Sequence, residues 1–247
     1  MRTLMAFRFL AFTLALGLLG CAAEPAEQAP KQESKKEAST PPSPVKKVEV
    51  AKNVHVEFQG SQRRVVINAY VCLRQGMLEQ FMTRKRTKEH EAILAADIDA
   101  SKVHLALLAA GAEAGKPVEF QPKFKPASGT PIKVYVEYKD KNDKVVRLPA
   151  QHWIRDLKSK KEMAHDWVFA GSHLFDDPLD KTRPPYYTAN DGDVICVSNF
   201  ETAMLDLPVD SSQGNSELAF EAWTERIPAV GHPVRVILEP VLPAKKK

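Results

Sequence analysis

Apolar residues fall into two blocks along this chain, and the gap between the blocks limits where a folded domain can form. The first block runs from Phe9 to Gly20, twelve residues without a charge. Residues 22–47 then contain no aromatic residue and no Leu, Ile or Met, but five prolines, five lysines and four glutamates. A segment of this composition cannot bury enough apolar surface to offset the entropy of ordering it. We therefore predict a disordered linker over residues 21–50 and a single folded domain over residues 51–243.

The first apolar block has the layout of an export signal. Arg2 and Arg8 give it a positive start, and it is too short for a helix that spans a bilayer, which needs about 20 apolar residues. The block closes at Leu18-Leu19-Gly20-Cys21, which resembles a bacterial lipobox. The resemblance implies that residues 1–20 are a lipoprotein signal peptide and that the sulfur of Cys21 carries diacylglycerol. The alternative is an ordinary signal peptide that happens to contain a cysteine.

Lipid on Cys21 would determine both the location of the chain and its first partner. Each buried CH₂ contributes about 0.8 kcal/mol, and one acyl chain alone holds a protein only marginally. The two or three chains implied here, palmitate among them, would make attachment to the lipid bilayer lasting. We expect a protein of the cell envelope, outside the cytoplasm and on the periplasmic face. The non-acidic Ala22 implies sorting to the outer membrane in two-membrane bacteria.

The positive charge of the chain lies mainly at its ends. The formal charge is +4, and it comes from the two leader arginines, the lysine excess of the linker and the basic tail at residues 244–247. The remaining body is slightly acidic, so its composition does not favour a polyanion partner. We expect no nucleic acid, and instead an envelope protein or a cell-wall polymer as the partner of the body.

The body predicts an α+β fold, with a mostly antiparallel β-sheet and two or three helices packed against it. Strands are expected at about ten places, among them a pair over Val54–Phe58 and Arg64–Cys72 and a hairpin from Ile132–Tyr138 to Lys144–Leu148. The clearest helix covers Ala100–Ala110, with Asp99 as its N-cap and Gly111 as its stop. Its buried stripe is predicted to be Val103, Ala106, Leu107 and Ala110.

Three further elements depend on weaker local signals. Pro149 suits the first turn of a helix, which we predict to continue through Lys158. Tyr186–Val197 is predicted to be a hairpin around Asn190-Asp191-Gly192. Ala203–Leu207 is predicted to form one helical turn.

The sequence contains few patterns with established chemistry. It has no G-x-x-x-x-G-K-[ST] segment and no C-x-x-C pair, and Gly171-Ser172-His173 lacks the flanking glycines of a nucleophile elbow. A metalloprotease helix needs H-E-x-x-H, but Leu94 stands at the second histidine position after His90-Glu91. On the strand expected there, these two side chains would point to opposite faces. We expect no metal and no other cofactor.

Several histidines and aromatic residues allow two interpretations. His104 lies beside the helix stripe, where we expect a boundary histidine with one hydrogen bond. The aromatic and histidine residues of the second half could line a ligand groove or could form the core and its rim. This set consists of Trp153, Trp167, Phe169, Tyr186, Tyr187, His152, His165 and His173.

Two cysteines remain in the body, Cys72 and Cys196. In an oxidising compartment they could form a disulfide. They could equally be separate buried thiols, since the sequence does not show how closely their Cα atoms approach.

The body contains four segments in the order Val71–Arg74, Lys88–Leu94, Leu107–Ala112 and Trp167–Ser172. Together they resemble the YdjY domain family of bacterial envelope lipoproteins, over roughly Val54 to Leu207. The family has no established activity, so the resemblance implies architecture rather than chemistry. Some relatives carry an iron–sulfur label, but a four-thiolate cluster needs four cysteines, and only Cys72 and Cys196 remain here.

The sequence therefore favours a membrane-anchored lipoprotein with a binding or structural domain that is not catalytic. The more specific of the four segments make Lys88, His90, Glu91, Trp167 and Ser172 candidate binding residues. The alternative is a metal-dependent or hydrolytic envelope enzyme, in which His90 and Glu91 act with distant ligands such as His165 or His173.

Overall fold

The computed structural model describes residues 44–243. The predicted signal peptide, the lipid site at Cys21, most of the linker and the basic tail lie outside the described residues, so these stay predictions. Residues 46–50, which we placed in the linker, form most of the first strand. None of the helices within 44–243 has both the length and the hydropathy needed to cross a membrane.

The described residues contain sixteen strands, one α-helix and three short 3₁₀ helices. The strands are β1 Lys46–Ala51, β2 Val54–Gln59, β3 Gln62–Val71, β4 Met77–Leu78, β5 Gln80–Arg84, β6 Ala92–Ala96, β7 Pro131–Lys139, β8 Val145–Pro149, β9 Ile154–Asp156, β10 Trp167–Phe169, β11 Leu174–Phe175, β12 Tyr186–Tyr187, β13 Ile195–Cys196, β14 Leu205–Asp206, β15 Phe220–Ala222 and β16 Pro233–Pro240. The helix α1 is Ala100–Ala109, and the 3₁₀ helices are Ala150–Trp153, Thr188–Asp191 and Thr224–Arg226.

Eight of the strands close into a barrel. Their order around the ring is β3, β16, β7, β10, β14, β13, β5 and β6, and β6 pairs back onto β3. The ring closes because β3 is long enough to change partners along one edge. Ile67 pairs with Val54 of β2, whereas Val71 pairs with Leu94 of β6. The β5–β6 and β13–β14 pairs are parallel, and the others are antiparallel.

The other strands extend or flank this barrel. β1 and β2 continue the sheet beyond β3, and β8 pairs with β7. A separate three-stranded sheet has the order β4, β15, β9, and β11 pairs with β12 in a two-stranded one. Large side chains fill the core, and Phe81, Trp167 and Phe169 are fully buried within it.

This architecture shows that the predicted fold class is wrong. We predicted an α+β protein with two or three helices against a sheet, whereas the described residues are 39% strand and 10% helical, with one α-helix and a closed barrel. The helix predicted over Pro149–Lys158 is wrong because only Ala150–Trp153 turns, as a 3₁₀ helix. The chain then becomes a strand, in which Ile154 pairs with Ala222 of β15.

Two other local predictions are also wrong, and both errors lie at β13 and β14. Ala203–Leu207 is not a helical turn, because Leu205 pairs with Phe169 on one side and with Ile195 on the other. Tyr186–Val197 is not a hairpin. Tyr186 and Tyr187 pair with β11 instead.

The prediction for α1 is confirmed. The Asp99 side chain accepts a hydrogen bond from the backbone N–H of Ser101 at 2.9 Å, as an N-cap does. All four residues of the predicted stripe are fully buried. Gly111 follows the helix with φ +93°, a conformation that favours glycine. The helix packs this stripe against β1, β2 and β3, so its opposite face is left to solvent.

Candidate functional site

The exposed face of α1 forms one wall of a groove of about 510 Å³, and the chain after β10 forms the other. Because the buried stripe turns the rest of the helix outward, Leu105 is 50% exposed and Leu108 is 44% exposed. Leu174, 67% exposed, faces them across the groove. Exposed leucines gathered around one concavity are typical of a binding site.

A sharp bend shapes the second wall. Gly171 has φ +94° and Ser172 has φ +54°, two successive residues in the left-handed region. A Cβ on Gly171 would lie 2.9 Å from Cβ of Ala114, closer than real carbon atoms approach. Only glycine therefore allows the chain to pass this near to Ala114 and to place Ser172 in the groove wall.

The polar side of the groove is a chain of hydrogen bonds that starts at His104. The Tyr187 hydroxyl donates to the Gly171 carbonyl at 2.8 Å, and it lies 2.9 Å from Nδ1 of His104. A hydroxyl has one proton, so Tyr187 must accept from His104, which places a proton on Nδ1. The ring of His104 also packs edge-on against Phe169, with centroids 4.7 Å apart.

The surroundings of this pair shift the pKa of each group in the direction that favours its neutral form. Burial lowers the pKa of His104, and the Gly171 carbonyl opposes this shift only in part. Burial also raises the pKa of Tyr187 well above its ordinary value. In the neutral Nδ1–H tautomer, Nε2 of His104 is a hydrogen-bond acceptor. The described residues provide no hydrogen-bond donor to that nitrogen.

Ser172 lies in the groove wall, but its hydroxyl is already used. It donates to the carbonyl of Thr202 at 2.6 Å and lies 2.9 Å from Oγ1 of Thr188. A nucleophilic serine needs its proton directed at a base, and this proton is directed at a backbone carbonyl instead. Ser172 therefore fixes the bend and is not placed as a nucleophile.

The segment with Lys88, His90 and Glu91 forms a second polar cluster, in the turn before β6 rather than on the strand we predicted. Nζ of Lys88 lies 2.9 Å from Oδ1 of Asp193, which is only 3% exposed, and 4.0 Å from Glu91. Thr202 donates to the other oxygen of Asp193 at 2.6 Å. This cluster is an ion pair at the edge of the barrel.

His90, beside this ion pair, is not placed as a metal ligand. Its side chain is 76% exposed and lies 3.7 Å from Glu91. Within residues 44–243, no three His, Cys, Asp or Glu side chains are grouped as a metal site requires. His165 and His173, the distant ligands suggested by the sequence, therefore do not complete such a group with His90 among these residues.

The remaining candidate residues lie in the core or apart from one another. Nε1 of Trp167 donates to the Cys196 carbonyl at 2.6 Å, and the indole is fully buried. Cys72 and Cys196 are both free thiols. The Cys72 thiol donates to the Ala92 carbonyl at 3.1 Å, and burial raises the pKa of both thiols.

A family model for the YdjY domain matches residues 46–239. The chain belongs to the YdjY domain family. This match extends beyond the Val54–Leu207 range of the sequence resemblance at both ends. The comparison with curated proteins finds no match, and the comparison with solved structures finds none either.

In this YdjY domain, two of the four segments that carried the resemblance border the groove. Leu108 belongs to one, and Gly171-Ser172 belongs to the other. From the aromatic and histidine set, Tyr187 and His173 line the groove, whereas Trp153, Trp167 and Phe169 are core residues. The sequence correctly placed His104 at the boundary between the buried stripe of the helix and its exposed face. Sequence reasoning missed the bond to Tyr187, because the two residues are 83 positions apart.

Proposed function

We propose that this chain is a lipoprotein of the cell envelope, held at a membrane by diacylglycerol on Cys21, whose YdjY domain binds a ligand in the groove beside α1. The single observation that carries the binding role is the groove itself. Its volume of about 510 Å³ lies in the usual range of small-molecule sites, roughly 300–1,000 Å³. Its walls combine exposed leucines with a few fixed polar groups, as such sites do.

The anchoring half of the proposal is supported by the lipobox-like Leu18–Cys21 and the proline-rich linker that follows. A linker of this length reaches about 30 Å as a coil and roughly 80 Å when extended. The domain would then sample a layer close to the membrane, facing an envelope protein, a cell-wall polymer or the bilayer itself. This placement is outside the cytoplasm, on the periplasmic face.

An enzymatic role has less support. The proton of Ser172 is committed to a backbone carbonyl, and the exposed imidazole of His90 lies away from the groove. The polar groups of the groove are bonded to one another in fixed directions, which suits recognition of a ligand. Binding is therefore the function that this geometry favours.

A methyl NMR titration with 1-octanol tests the groove as the binding site. The chain from residue 22 to 247 is suitable, because the compact unit Pro42–Lys247 lies entirely within it. We expect the methyl signals of Leu105, Leu108 and Leu174 to shift with saturation. The signals of Leu179, which is 95% exposed and outside the groove, should not shift.

A pair of variants controls this titration. Leu108→Asp places a charge in the groove and should abolish the shifts, because desolvating an unpaired carboxylate is costly. Leu179→Asp makes the same change at an exposed leucine elsewhere and should leave them intact. Saturable shifts at Leu179 alone, or no shifts at any groove leucine with 1-octanol, heptyl methyl ether or octanoate, would show that the groove is not a binding site.

A further inference from the structure

The described side chains that line the groove include no lysine, arginine, aspartate or glutamate. The described lining consists of aliphatic, glycine, serine, tyrosine and histidine residues. A second groove of about 550 Å³ on the same domain contrasts with it, because Glu137, Lys139, Asp140 and Arg235 line that one. A charged ligand group buried beside α1 would have no partner of opposite charge, which is costly.

The hydrogen bonds among His104, Tyr187 and Ser172 leave an acceptor free rather than a donor. The His104 N–H goes to Tyr187, and the Tyr187 O–H goes to Gly171. The Ser172 O–H goes to Thr202. These three donors are thus satisfied within the protein, and Nε2 of His104 remains as an acceptor. A ligand group that meets Nε2 of His104 must therefore bring the donor itself.

The apolar part of the groove suits an aliphatic occupant, and the linker of this protein has few aliphatic side chains to place there. Leu105, Leu108 and Leu174 present aliphatic surface to the groove. Residues 22–47 contain no Leu, Ile, Met or aromatic residue, and Val45 is their only branched aliphatic side chain, so the linker offers little apolar surface to cover these leucines. We therefore take the occupant to be a separate molecule with an aliphatic chain.

We infer that the groove takes an uncharged amphiphile, an aliphatic chain that ends in a hydroxyl or an amide N–H, with that donor bonded to Nε2 of His104. This inference rests on the proposed binding function of the groove and specifies its ligand class. The aliphatic chain lies along the three leucines. Tyr187 acts as a positioning residue, because its hydroxyl fixes the tautomer that leaves Nε2 as an acceptor.

Three probes of matched size, compared at pH 7.5, test separately whether the ligand needs a hydrogen-bond donor and whether it must be uncharged. They are 1-octanol, its isomer heptyl methyl ether, which has no donor, and octanoate, which is charged. We expect the chain 22–247 to bind 1-octanol at least about tenfold more tightly than either of the others, equivalent to about 1.4 kcal/mol. The affinities are measured by the methyl titration described above.

Two variants assign the preference to the histidine. His104→Phe keeps an aromatic ring beside Phe169 and Tyr187 but removes the acceptor, so 1-octanol should fall to the affinity of the ether while the ether is unchanged. Tyr187→Phe keeps the ring and removes the hydroxyl. Its ¹⁵N spectrum should show that the Nδ1–H tautomer of His104 no longer dominates, and the octanol preference should shrink.

Each result has a distinct meaning. Equal affinity for all three probes, or an octanol preference that survives in His104→Phe, would overturn the ligand class while leaving the groove as a binding site. Tighter binding of octanoate would also overturn it. Absence of binding by every probe would overturn both this inference and the proposed function.

Discussion

The Trp167→Ala variant is expected to unfold with a free energy about 3–5 kcal/mol lower than that of the wild-type chain. Trp167 is fully buried, its ring lies 6.0 Å from that of Phe81, and its N–H donates to the Cys196 carbonyl. Alanine leaves a cavity inside the barrel and an unsatisfied carbonyl on β13. Urea unfolding followed by circular dichroism measures the change.

Trp167→Phe is the matched variant. It keeps most of the ring volume and removes the hydrogen bond to Cys196, so the expected loss is about 1–2 kcal/mol. If alanine reduced the free energy of unfolding no more than phenylalanine does, Trp167 would not be a core residue. A cost below about 1 kcal/mol for Trp167→Ala would favour the surface binding role that the sequence suggested.

The Asp206→Asn variant is expected to lose a pH dependence of stability that the wild-type chain has. Asp206 is fully buried on β14, and burial raises the pKa of its carboxyl to about 7. An unfolded aspartate has a pKa of about 4. The carboxyl therefore stabilises the fold fully below about pH 4, and this contribution is lost as the pH rises through about 7.

The expected size follows from the pKa difference between the two states. About three units correspond to roughly 4 kcal/mol of unfolding free energy lost between about pH 4 and about pH 8. The variant stays neutral over this range, and its Oδ1 keeps the donors that Asp206 Oδ1 has, the Asn199 amide and the Leu207 N–H, each at 2.8 Å. Relative to wild type, Asp206→Asn should gain stability as the pH rises.

The difference between the two chains is the quantity to measure, because other carboxyls act in the opposite direction. Hydrogen bonds and cations lower the pKa of Glu57 and Glu162, for example. Denaturant midpoints at about pH 5 and about pH 8 suffice for the comparison. Asp210→Asn, at an exposed position on the same segment, is the control and should follow wild type. An Asp206→Asn profile parallel to wild type would mean that the carboxyl is ionised throughout.

Local signals predicted those parts of the fold whose stabilising contacts are also local. Asp99 caps α1 through Ser101, two residues on, and Gly111 ends the helix with its own backbone conformation. The β7–β8 hairpin, from Ile132–Tyr138 to Lys144–Leu148 by sequence, likewise forms between neighbours in the chain. Such elements can be identified without knowledge of the rest of the molecule.

The barrel could not be predicted in this way, because its closure depends on short pairings between distant residues. β13 is only two residues long, yet it links β14 to β5 through Ile195. Ile154 becomes a strand residue only because Ala222 is opposite it. Helix propensity at Pro149 and turn propensity at Asp191-Gly192 were real signals, but tertiary pairing outweighed them.

In the candidate site, too, the features set by local sequence could be predicted and those set by distant contacts could not. The outward leucines of α1 follow from the period of its buried stripe. The bond between His104 and Tyr187 depends on the position of β12, which the sequence placed in a hairpin that does not exist. The candidate binding residue Lys88 lies in an ion-pair cluster with Asp193 and Glu91. The side chain of His90, which the enzymatic alternative paired with Glu91, is 76% exposed beside this cluster.

The intact mass of the protein extracted from membranes tests the central claim, a ligand-binding domain tethered by lipid, most directly. The account predicts a mature chain that begins at Cys21 and carries the mass of a glyceride with two or three acyl chains. The Cys21→Ser variant should lack this mass and appear in the soluble fraction. A mature product that still begins at Met1 with an unmodified Cys21, or a Cys21→Ser chain that still sediments with membranes, would contradict the account.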